Sequence, residues 1–91
     1  MKIQYEFIKR EIAGSTFLVP VGAGVKKIKG MISVNDVAVR IWDLITEGKN
    51  QDEIVDVMAA EYLETREKIA ADVAEFIADL RELEILAPEE K

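Results

Sequence analysis

The chain has 91 residues, 49% of them apolar, and a net charge of −6, which suffices for one compact domain with a core and is too short for two. It contains no cysteine and no histidine, which excludes disulfide staples, thiolate or imidazole metal ligands, and the usual nucleophile–base pairs of hydrolases. Carboxylate-only acid–base chemistry would need acids inside a pocket, and most acids here stand at helical spacings that face solvent, so the expectation is a non-catalytic protein with no metal and no cofactor.

The first third reads as strands. IQYEFIKREI alternates through Ile3, Tyr5 and Phe7 and then, with opposite parity, Ile8 and Ile12, as an antiparallel strand does. Gly14, with Ser15, predicts a turn. TFLVPV is a second strand, in which Pro20 limits pairing on one side and which Gly22 and Gly24 end. VKKIKG reads as a basic connector or an irregular strand, and GMISV as a third strand running into a helix.

The rest reads as three helices. Asn35 predicts the N-cap of the first, with Val34 and Val39 placed for a hydrophobic staple, and Gly48 its end. Val37, Ala38, Ile41, Trp42, Leu44 and Ile45 form its apolar face. Asn50 and Glu53 have capping-box spacing for the second helix, whose inner face is Ile54, Val55, Met58 and Tyr62. Thr65 caps the third, which runs to about Leu83 and carries less than the three to four heptads of a coiled coil. Residues 84–87 add a short extended tail. The expected fold class is α+β, with three N-terminal antiparallel strands followed by three helices. Residues 1–87 are expected to form the single domain and 88–91 a charged tail.

Charge is unevenly spread. Residues 1–30 carry six basic against two acidic residues, leaving +4, and residues 31–91 carry six against sixteen, leaving −10. No signal-peptide apolar block follows Met1, and no apolar run approaches the roughly 18–20 residues of a membrane span, so a cytoplasmic protein without a membrane partner is expected.

The segments GMISVNDVAVRIWDLITEG, NQDEIVDVMAAEY and DVAEFIADLRELEIL together resemble the PqqD-like family, the precursor-peptide recognition elements of ribosomal peptide natural-product biosynthesis. The shared pattern is a strand, an Asn at the helix start, an apolar helix with Ile-Trp, a short helix with Glu-Ile-Val and a Tyr, then Asp-Val with Phe and Leu at helical spacing. The resemblance covers nearly the whole chain. It implies a winged-helix-like domain, a peptide chaperone that binds the leader of a ribosomally made precursor peptide as an added strand beside the third strand and the third helix. The domain then presents the leader to a modifying enzyme, often a radical S-adenosylmethionine enzyme. The chain departs from the quinone-pathway members at VPVGAGVKKIKG, where those carry a Tyr-Pro-Glu-Gly type turn, which points to a related peptide pathway.

The residues support such a groove independently. By its residues alone GMISV reads as an internal strand of a small sheet or as an edge strand, and an edge strand offers unpaired N–H and C=O groups to another chain; there Met31 and Ser33 would face one side and Ile32 the other. On the third helix Leu83, Phe76, Ile69, Leu80, Val73, Ile77 and Ala70 span roughly 140° at about 100° per residue. One margin meets the other helices; the margin with Ala70 and Ile77, near Arg66, is read as the groove side. Lys26, Lys27 and Lys29 read first as a solvated loop and alternatively as charges that steer an acidic peptide. The expected peptide contacts are Lys29, Met31, Ile32, Ser33, Arg66, Ile69, Ala70, Val73 and Ile77. The competing readings are a winged-helix nucleic-acid binder, which the acidic third helix and the net charge disfavour, and a homodimeric adaptor that pairs its own edge strands.

Overall fold

The computed structural model describes residues 1–28 and 30–88. Lys29 and positions 89–91 of the expected tail lie outside the described residues. Strands β1 (Glu6–Ile12) and β2 (Ser15–Val21) form an antiparallel hairpin, and the one-turn helix α1 (Gly24–Lys27) leads to β3 (Ile32–Val34). Helices α2 (Asp36–Thr46), α3 (Gln51–Glu61) and α4 (Arg66–Glu82) follow. This is the expected α+β order of three antiparallel strands and then helices, with one correction. The basic connector closes into a helical turn, where Gly24 comes so near that a Cβ there would lie 3.1 Å from Tyr5 Cβ and 3.4 Å from Pro20 Cβ.

In the hairpin Ile12 pairs with Ser15, so the loop is Ala13–Gly14. Both loop residues have positive φ, 53° and 83°, as a two-residue type I′ turn requires. Ser15, expected in the turn, is already in register. The parity break of β1 separates two faces. Phe7 meets Trp42 edge-on at a centroid distance of 5.5 Å, and Lys9 reaches Asp43 of α2 at 2.7 Å. Ile8 and Ile12 stand on the opposite, exposed face. Ile3 lies outside β1 and bridges to Leu86 instead; Gln4 N–H donates to Ile85 C=O at 2.8 Å and Ala87 N–H to Lys2 C=O at 2.9 Å. The expected C-terminal extension therefore ties the two ends of the domain together.

All three expected N-caps form. Asn35 Oδ1 accepts from Ala38 N–H at 2.8 Å, Asn50 and Glu53 make a reciprocal capping box at 2.9 Å each way, and Thr65 Oγ1 accepts from Lys68 N–H at 3.2 Å. α2 ends in a Schellman motif: Gly48 N–H donates to Ile45 C=O and Lys49 N–H to Leu44 C=O, with Gly48 at φ 90°. α4 ends the same way through Glu84 and Ile85, but Glu84 holds φ 61° without being glycine. The left-handed conformation costs an L-residue roughly 1–2 kcal/mol, and Ile85 buried beside Leu80 supplies the apolar contact that accompanies the motif. Glu84→Gly is therefore expected to stabilise the protein by about 1 kcal/mol, read as an upward shift in the midpoint of urea unfolding.

The core joins Leu18 and Val34 of the sheet to Ile41, Trp42, Leu44 and Ile45 of α2, Ile54, Val55 and Met58 of α3, and Ile69, Val73, Ile77 and Leu80 of α4, closed by Ile85 and Leu86. Across its rim Arg40 of α2 donates to both carboxylate oxygens of Glu61 at 2.9 and 2.6 Å. These hydrogen bonds hold the Glu61 carboxyl below its ordinary range and raise Arg40 further. A depressed carboxylate contributes stability that is present above its unfolded pKa, about 4.3, and is lost as pH falls through its lower folded value; Arg40 stays charged throughout. A Glu61→Gln variant is expected to melt below wild type at pH 7 and to converge with it in acid. A difference in melting temperature that stays constant from pH 7 to pH 2 would contradict this. No described helix is long and apolar enough to cross a membrane.

Candidate functional site

The sheet order is β1-β2-β3. β3 pairs with β2 through Thr16–Val34, Phe17–Ser33 and Leu18–Ile32, and among the described residues no strand occupies its other side. A strand edge of this kind presents alternate N–H and C=O groups without partners. Beside that edge runs α4, and between them lies a groove of about 930 Å³. Ile32, Ser33, Val34 and Asn35 form one lip. Val37, Ala38 and Ile41 of α2 form the floor, and Lys68, Asp72, Glu75, Phe76, Asp79, Leu80, Glu82 and Leu83 form the opposite wall.

The capping of α2 by Asn35 fixes this arrangement locally. β3 ends at Val34 and the helix starts one residue beyond the cap, so the strand edge and the α2 floor are joined by a single residue. On α4 the buried stripe is Ile69, Val73, Ile77 and Leu80. At about 100° per residue, Asp72, Glu75, Phe76, Asp79 and Leu83 lie to one side of it and Ala70 to the other. The groove takes the first side.

The structure therefore brings together only part of the expected set. Ile32 and Ser33 line the groove, and Met31 precedes them, 51% exposed. Val73 and Ile77 lie in the core at 0% and 1% exposure and do not reach the groove. Ala70 stands at the other margin of the stripe. Arg66 sits on the first turn of α4 and pairs with Asp56 of α3. Ile69 is buried and borders a smaller cavity of about 280 Å³ with Val37, Met58, Tyr62 and Leu63. Lys26 and Lys27 stand on α1 and do not line the groove.

Sequence reasoning missed Phe76 and Leu83 as groove residues. Both belonged to the apolar arc, and Leu83 remains 48% exposed. It also missed Val37 and Ala38, half-buried residues on the first turn of α2. Trp42 is the core residue its apolar neighbours suggest.

The polar part of the α4 wall is acidic. Lys68 donates to both oxygens of Asp72 at 3.2 and 3.1 Å, and that hydrogen bond, followed by the charge of Asp72, raises the Lys68 pKa. Among the described residues no salt bridge engages Glu75, Asp79 or Glu82. A wall of this sign repels phosphates.

Comparisons with known proteins bear on the family and the fold. Among curated proteins none matches. A solved structure entitled "TbiB1 in Complex with the TbiA(beta) Leader Peptide" is similar, with a TM-score of 0.76 and 30% sequence identity over 100% of both chains. The family model for coenzyme PQQ synthesis protein D (PqqD) matches residues 18–86, from the central strand β2 to the bridge at Leu86. The chain is thus a member of the PqqD family.

Proposed function

We propose that residues 1–87 act as one non-catalytic peptide-binding module that takes the leader of a ribosomally made precursor peptide and presents it to a modifying enzyme. The leader adds in extended form to the outer edge of β3 and lies in the groove against α4. The observation that carries this reading is the open edge of β3 beside a groove with an apolar floor, in a family member similar to TbiB1, which was solved with a leader peptide. Main-chain pairing supplies affinity that depends little on sequence, and alternate side chains supply selectivity. Met31 is available beside that edge; Val73 and Ile77 support the groove from the core.

The wall from Lys68 to Leu83 is about 22 Å long at 1.5 Å per residue. An extended peptide at about 3.3 Å per residue covers that length with roughly seven residues. The modifying enzyme, of the radical S-adenosylmethionine class by the family resemblance, would act on the part of the peptide beyond the groove. A nucleic-acid role is disfavoured by the acidic wall.

The test is an amide-shift titration with the leader of a precursor peptide encoded beside this gene. Shifts are expected within residues 30–41 and 68–83. Shifts confined to α3 or β1 would refute this binding site.

A further inference from the structure

The two walls of the groove differ in chemistry. The β3 lip contributes Ile32, Ser33 and Val34, with no charge, and the α4 wall contributes four carboxylates. Lys68 neutralises Asp72, which leaves Glu75, Asp79 and Glu82 without a salt-bridge partner among the described residues. Among the described residues Lys68 is also the sole basic side chain lining the groove.

We infer that the peptide bound in the groove is cationic on one side: its α4-facing side chains include Lys or Arg at alternate positions, set against Glu75, Asp79 and Glu82. The inference rests on the peptide-binding reading above and adds the chemistry of the ligand. It differs from the reading in which the basic connector steers an acidic leader, since Lys26 and Lys27 stand on α1 and do not line the groove. The spacing is compatible. Residues 72 to 82 rise about 15 Å along the helix. Side chains on one face of an extended strand recur about every 6.7 Å. Two or three same-face residues of the peptide therefore pass along the acidic stretch. Pairs of this kind lie at a solvated rim, so they bias which peptide binds and how fast it arrives more than they hold it.

The experiment is a selection from a displayed library of randomised twelve-residue peptides, run in parallel on the wild-type protein and on a Glu75→Gln/Asp79→Asn/Glu82→Gln variant. All three side chains are on exposed positions of α4, and the melting temperature of the variant confirms folding. Wild-type binders are expected to be enriched in Lys and Arg with a two-residue period, and the variant is expected to lose that enrichment while still selecting peptides. A synthetic wild-type binder should bind the variant about tenfold more weakly at 10 mM salt and about twofold more weakly at 0.5 M, since screening shortens the range of the charges. Binders on both proteins without basic enrichment, or with enrichment that survives in the variant, would overturn the cationic ligand and leave peptide binding intact. Failure to select any groove binder on either protein would overturn both.

Discussion

Ile77→Glu is expected to remove about 4 kcal/mol or more of folding stability, a large part of the roughly 5–14 kcal/mol that a 91-residue domain has. Ile77 is 1% exposed and packs within the cluster that joins the sheet to α2, α3 and α4. The substitution deletes an apolar side chain from a close-packed site and sets a carboxyl where no partner is arranged for it. Such a group either unfolds the protein or stays protonated with a raised pKa. The sign follows from that. An acid whose folded pKa is raised destabilises most at high pH, and the penalty shrinks as pH falls through the raised value. Denaturant unfolding of the Glu and Gln variants side by side should show the Glu deficit exceeding the Gln deficit at pH 8 and approaching it near pH 5. Near-wild-type stability for Ile77→Glu would show that the side chain reaches solvent, and would return it to the groove wall where its place in the apolar arc first suggested it belonged.

The second large effect concerns the peptide. In strand addition the N–H and C=O groups of successive ligand residues point alternately toward the edge strand and away from it. N-methylation of single amides along a bound leader is therefore expected to weaken binding at every second residue opposite Ile32–Val34, by about ten- to a hundredfold, and to change little at the residues between. The loss combines a missing hydrogen bond, about 1 kcal/mol net, with the clash of a methyl group against the β3 backbone. Isothermal titration of each methylated peptide would measure it. A loss that follows side-chain identity with no two-residue period would mean that the leader enters as a helix or in irregular form, with the α4 wall rather than the β3 edge as its main contact.

Several parts of this fold were legible in the sequence because the interactions that set them are local. Asn35, Asn50 with Glu53, and Thr65 each act within three residues of their own position, so the three long helices start where the residues say they do. Gly48 ends α2 for the same reason. The parity break in β1 marked two faces, although which face met α2 was not written in the alternation. Features held by distant contacts were less legible. Ala13 takes a left-handed conformation because the pairing of Ile12 with Ser15 leaves only two residues to turn the chain. Glu84 takes one because Ile85 must reach the core from the end of α4. Neither residue type prefers it.

The groove divides along the same line. That a short third strand would run into a capped helix, with a long amphipathic helix later in the chain, was legible from spacing, whereas the strand's place at the sheet edge was implied only by the resemblance to the PqqD family. An apolar arc on a helix has two margins, however, and periodicity treats them alike. Which margin meets the strand depends on how α4 docks, and α4 packs on α3 and is followed by the Ile3–Leu86 bridge at its far end. Those contacts turn Asp72, Phe76, Asp79 and Leu83 toward β3 and leave Ala70 on the other margin, so only the tertiary structure decided that the groove has an acidic wall.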